Sequence, residues 1–187
     1  MTHDLVIRNG FVADGTGEAG RETDIAIDGG VISQVGKVSA KGREEIDAKG
    51  QLVTPGFVDV HTHYEGRVTW GDTLDPSSIH GVTTAVMGNC GVGFAPCRDQ
   101  DHDRLIRLME GVEDIPFPVL STGLPWNWES FPDYLDSLSG KSFDIDFAAQ
   151  LPHAALRGYV MGERGANRED ASAEEIAEMA RLAKAAV

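Results

Sequence analysis

Only two cysteines, Cys90 and Cys97, occur in the 187 residues, so the chain is not a disulfide scaffold. A bridge between the two would need an oxidising compartment; a reducing cytosol leaves them as free thiols or as metal thiolates. No apolar run approaches the roughly 20 residues that a bilayer-spanning helix requires. Basic residues are also scarce. Sixteen Lys and Arg face 30 Asp and Glu, a net charge of −14, and no basic cluster stands out. That balance excludes nucleic acid and anionic membrane surfaces as expected partners and reads as ordinary solubility. The opening Met1-Thr2-His3-Asp4-Leu5 has neither a basic stretch nor an apolar one. The expectation is therefore no secretory signal and a cytoplasmic location. Internal repeats and low-complexity linkers are missing as well.

What is present suffices for a real core: 41% of the residues are hydrophobic, and the length suggests one or two domains. Residues 1–56 read as short strands with tight turns, a small antiparallel β module. Asp4–Arg8 and Phe11-Val12 flank Asn9-Gly10, a common hairpin dipeptide, and Asp24–Ile27 and Val31–Val35 flank Asp28-Gly29-Gly30. From Phe57 the texture changes to apolar strands alternating with helical stretches, the α/β pattern of a βα barrel, over residues 57–187. The expected strands are Phe57–His63, Thr83–Met87 and Phe143–Leu151. Helical turns or helices are expected over 76–81, 101–111 (Leu105, Ile106, Leu108 and Met109 apolar) and 129–138. A last one follows the capping-box pattern Ser172-Ala173-Glu174-Glu175.

The chemistry concentrates in Pro55-Gly56-Phe57-Val58-Asp59-Val60-His61-Thr62-His63. Side chains of a strand alternate faces, so His61 and His63 point the same way and suit one divalent ion. The alternative is two histidines on a solvated edge. Cys90, in Gly88-Asn89-Cys90-Gly91, closes the second strand and is either a thiolate ligand or a small buried hydrophobe. The surrounding glycines match neither a dinucleotide fingerprint nor a Walker motif. His153 ends the third strand and either reaches the same pocket or sits on its rim. Glu113 and Asp114 are paired carboxylates in a loop. Arg157 and Arg164 suit a substrate carboxylate or plain surface. Cys97 reads as structural or exposed, and His3, His80 and His102 have no supporting context.

These segments together resemble a known family. Leu52–Gly56 leading into Phe57–His63 resembles the opening metal motif of the amidohydrolase superfamily. Gly81-Val82-Thr83-Thr84, Met87–Gly91, Leu108–Pro116 and Pro152–Arg157 resemble its D-aminoacylase branch, the N-acyl-D-amino-acid deacylases. The resemblance runs from about Leu5 to Val187. It implies a small β-sandwich module (1–56) followed by the first part of a (β/α)₈ TIM-like barrel (57–187), incomplete in this chain. It also implies one or two Zn²⁺ ions held by His61, His63 and Cys90, with His153 near the substrate. Cys90 would take the place of the carboxylated lysine of hydantoinase and dihydroorotase relatives. One departure stands out: the branch usually continues Tyr-Asp after the histidine pair, whereas Tyr64-Glu65 follows here.

The implied reaction is hydrolysis of the linear amide of an N-acyl-D-amino acid, a small-molecule substrate, as part of a larger enzyme. A complete barrel takes on the order of 250 residues, and about half that many follow Phe57. The general-base aspartate and further ligands are accordingly expected beyond Val187, and the isolated chain is expected to be inactive. Two rivals remain: a hydantoinase- or dihydroorotase-like cyclic amidase, and a non-catalytic fragment. Oligomeric state is not readable.

Overall fold

A computed structural model describes residues 2–113 and 115–187. The chain divides after Gly56 into two units, Met1–Gly56 and Phe57–Val187. The first contains β1 (His3–Val12), β2 (Arg21–Asp28), β3 (Val31–Gly36), β4 (Gly42–Asp47) and β5 (Leu52–Val53) in one sheet of order β3-β2-β1-β4, with β5 also on β1. The Asp28-Gly29-Gly30 hairpin forms, Gly29 and Gly30 supplying φ of 58° and 80° between antiparallel β2 and β3.

The expected all-antiparallel module is corrected: β1 runs parallel to both β4 and β5. Asn9-Gly10 is not a hairpin turn but an irregularity inside β1, where the register with β2 shifts between Ile7 and Gly10. Asn9 takes a left-handed φ of 53° because its polar groups find side-chain partners there. Its N–H donates to Asp24 and its amide to Asp47, each at 3.0 Å. Gly10 is needed because a Cβ would approach Val53 Cγ2 to 2.8 Å.

The second unit is α/β. Strands β6 (Phe57–Thr62), β7 (Val82–Met87) and β8 (Asp146–Ala149) form a parallel sheet in that order. No closed barrel forms among the described residues. Seven helices accompany the sheet there: α1 (Arg67–Trp70), α2 (His102–Glu113), α3 (Phe117–Gly123), α4 (Phe131–Ser139), α5 (His153–Met161), α6 (Glu163–Ala166) and α7 (Ala173–Ala185). On α2, Leu105, Ile106 and Met109 are buried at helical spacing, but Leu108 is 39% exposed and lies off the core face. Both α4 and α7 begin with capping boxes, Ser130 with Asp133 and Ser172 with Glu175, each serine accepting an orphan backbone N–H.

One core gathers Met87 from β7, Phe94 from the following loop, Ile106 and Met109 from α2, Leu120 from α3, and Tyr134 from α4. Burying each such side chain contributes about 1.5–3 kcal/mol relative to exposure. Met87, at the carboxyl end of β7, is part of this core.

Candidate metal centre

Parallel pairing places Thr62 of β6 opposite Met87 of β7, so the chain leaves both strands side by side. His63 follows immediately on one side, and the turn Gly88–Gly91 on the other. That turn closes through the Gly91 N–H to the Gly88 carbonyl at 3.0 Å. Gly88 has φ of 86°, and a Cβ on it would lie 2.4 Å from the Gln150 carbonyl oxygen. No other residue fits there. Three further bonds hold the turn in place. The Asn89 amide donates to the Val60 carbonyl at 3.0 Å, and the Ala154 N–H to the Gly91 carbonyl at 2.8 Å. The Gly88 N–H donates to Glu65 Oε1 at 2.7 Å.

The result is convergence. One ligand atom each of His61, His63 and Cys90 lies within 4.8 Å of the others. The two imidazole centroids are 5.3 Å apart, and Cys90 Sγ is 3.6 Å from His63 Nδ1. An ion bound tetrahedrally at about 2.0–2.3 Å separates its nitrogen and sulfur ligands by roughly 3.5 Å, so the donor set fits a zinc-type ion. His61 and Cys90 are exposed and His63 is half-buried. Burial, then the neighbouring His61, lowers the His63 pKa and favours the neutral imidazole.

Sequence reasoning missed the role of Glu65, noting only that it replaces an aspartate. The residue is 4% exposed. Burial pushes its carboxyl up to about 7, against the pull of backbone N–H groups including that of Gly88. Its Oε2 is buried, makes no hydrogen bond among the described residues, and lies 4.0 Å from His63 Nδ1. From α4, the Tyr134 hydroxyl donates to the Glu65 carbonyl at 2.8 Å, and burial raises the Tyr134 pKa. The signal in the sequence was a lone acid two residues past the histidine pair.

The remaining candidates fall into place one by one. His153 is the exposed first residue of α5, and a Cβ on Gly91 would lie 3.8 Å from its Cβ. It stands beside the cysteine turn but is not one of the three converging residues. Cys97 is buried, burial and then the Asp101 carboxylate pushing its thiol up to about 12, and both cysteines are free. Arg157 donates to the carbonyls of Gly165 and Glu169, and Arg164 pairs with Glu169 and Glu175. His3 pairs with Asp28, His102 stacks on Trp126, and His80 is exposed. Asp114 and the Glu113 side chain lie outside what the structure describes. No helix among the described residues is long and apolar enough to cross a membrane.

Residues 44–187 match the amidohydrolase family. A D-aminoacylase of Alcaligenes xylosoxydans xylosoxydans is 33% identical over 185 residues, covering 98% of this chain and 35% of that protein. An N-acyl-D-aspartate deacylase of the same organism is 32% identical over 171 residues, 90% of this chain and 32% of that protein. Among solved structures, a D-aminoacylase with a binuclear metal centre superposes with a TM-score of 0.80 at 33% identity, over 98% of this chain and 36% of its own. An N-acyl-D-glutamate deacylase from Bordetella bronchiseptica, complexed with zinc and a phosphonate mimic of the tetrahedral intermediate, gives 0.73 at 28% identity, over 100% and 36%. The chain thus spans about a third of the length of these relatives.

Proposed function

The chain belongs to the amidohydrolase family, and from that membership we propose that it supplies the first metal-ligating strands of a zinc-dependent deacylase acting on N-acyl-D-amino acids. The observation that carries the reading is the convergence of His61, His63 and Cys90 at the ends of adjacent parallel strands. Two imidazoles and a thiolate are a donor set suited to zinc. The relatives named D-aminoacylase, N-acyl-D-aspartate deacylase and N-acyl-D-glutamate deacylase support the substrate class.

In this reading β6, β7 and β8 open a (β/α)₈ barrel whose site sits at the carboxyl ends of its strands. The edge strand β6 exposes Phe57, Val58 and Val60, more than half of each, as a surface suited to further strands. A bound zinc ion supplies Lewis acidity, polarising the amide carbonyl and acidifying a water. The chain's own residues do the holding. His61 and His63 enter from one strand end, and Cys90 from a turn fixed by Asn89, Gly91 and Glu65. His153, exposed beside that turn, orients the substrate.

The test follows amine release by the full-length protein from N-acetyl-D-amino acids and their L-isomers, and ring opening of a hydantoin to its N-carbamoyl acid, with zinc measured by elemental analysis. D-selective turnover with bound zinc is expected. A metal-free active protein, or preference for the cyclic substrate, overturns the reading.

A further inference from the structure

Glu65 is an expensive residue to keep where it is. Its side chain is 5% exposed, and one carboxylate oxygen is buried without a hydrogen bond among the described residues. Burying an acid with one oxygen left without a donor costs stability that an apolar side chain of similar volume would not. The side chain lies beside Gly93, where a Cβ would sit 3.8 Å from Glu65 Cγ. The tie that the tyrosine of α4 makes is to the Glu65 backbone and needs no carboxylate.

What the carboxylate does make is one bond between two segments. Oε1 accepts the Gly88 N–H at 2.7 Å, and Oε2 lies 4.0 Å from His63 Nδ1. Gly88 is the residue at which the chain turns off β7 toward Cys90, and its other face is packed against the Gln150 carbonyl. We propose that Glu65 is a positioning residue for the metal centre: by accepting the Gly88 N–H it sets the Gly88–Gly91 turn, and so the Cys90 sulfur, within reach of His63. The proposal rests on His61, His63 and Cys90 binding a metal. Glu65 is not one of the three converging ligand residues.

The experiment loads the full-length protein with Co²⁺ and reads the thiolate-to-cobalt charge-transfer absorption beside the cobalt affinity. Glu65→Ala and Glu65→Gln are compared, with folding followed by circular dichroism. The alanine variant is expected to lose most of the thiolate band and about 10–100-fold in affinity, the range for removing a partner that orients a ligand. The glutamine variant keeps an oxygen for the Gly88 N–H and is expected to restore the band and stay within a few-fold of the parent affinity. A folded alanine variant with an unchanged band overturns the proposal. If alanine fails to fold, glutamine decides: a folded variant with the band supports the strut, and one without it, or one that also fails to fold, overturns it. Absence of the band in the parent protein overturns the metal reading and this one with it; a parent band that persists in alanine overturns this one alone.

Discussion

Cys90 Sγ stands 3.6 Å from Nδ1 of His63, although 27 residues separate them in the chain. Parallel pairing of β6 and β7 accounts for the meeting, because both strands end at the same edge of the sheet. Of the three donors brought together there, sulfur is the softest and the most discriminating between metals.

The two cysteines should therefore respond differently to the same change. Cys90→Ala in the full-length protein is expected to lower bound zinc and abolish deacylase turnover. Cys97→Ala is expected to leave zinc content nearly unchanged, since Cys97 is 2% exposed and its thiol is pushed up to about 12. Its cost is a small cavity, paid in stability rather than in metal. Elemental analysis of both variants checks this; zinc retained in full by both removes Cys90 from the metal site.

Gly88→Ala should damage the same centre by a different route. The added Cβ would meet the Gln150 carbonyl at 2.4 Å, in a backbone conformation with φ of 86°. Strain of this kind costs at least about 1 kcal/mol, and the turn must shift to relieve it. The expected outcome is a lower melting temperature and weaker zinc binding together. Gly111→Ala, at a helical position with open space around it, is expected to raise the melting temperature or leave it unchanged, with zinc binding intact. A Gly88→Ala protein that melts and binds zinc like the parent sinks the steric account.

How far these features were legible depends on whether the cause was local. The period-2 spacing of His61 and His63 and the Ser172-to-Glu175 box are local, and each has its counterpart in the structure. Asn9-Gly10 misled because its turn propensity was overridden by partners 15 and 38 residues away, Asp24 and Asp47. Leu108 misled because apolar composition does not say which face of α2 meets the core. Glu65 was invisible for the same reason: its partner Gly88 lies 23 residues on, and only strand pairing brings them together. The family resemblance supplied what periodicity could not, the grouping of Cys90 with the histidines.

Acid should loosen the N-terminal unit through its low-pKa carboxylates, of which Asp24 is the most enclosed. Burial works against the Asp24 charge, yet the N–H groups of Asn9 at 3.0 Å and Val38 at 3.3 Å, with the Arg8 guanidinium at 3.4 Å, outweigh it and hold its pKa below the usual value. The same direction holds for Asp28, through the Ser33 hydroxyl and then His3. A carboxyl whose pKa is lower folded than unfolded stabilises the fold fully above the unfolded value of about 3.9. That contribution is lost as pH falls through the folded value, because the unfolded chain then binds more protons. Melting temperature should accordingly fall below about pH 4. Asp24→Asn should be less stable at neutral pH, since its single amide oxygen cannot serve both N–H groups and its NH₂ faces Arg8. Its stability should also vary less with pH on the acid side, so the two melting curves draw together as acid is added. Thermal denaturation of both proteins by circular dichroism between neutral pH and about pH 2 decides the matter. An unchanged pH slope in Asp24→Asn would assign the acid response to other carboxylates and leave Asp24 a neutral bystander.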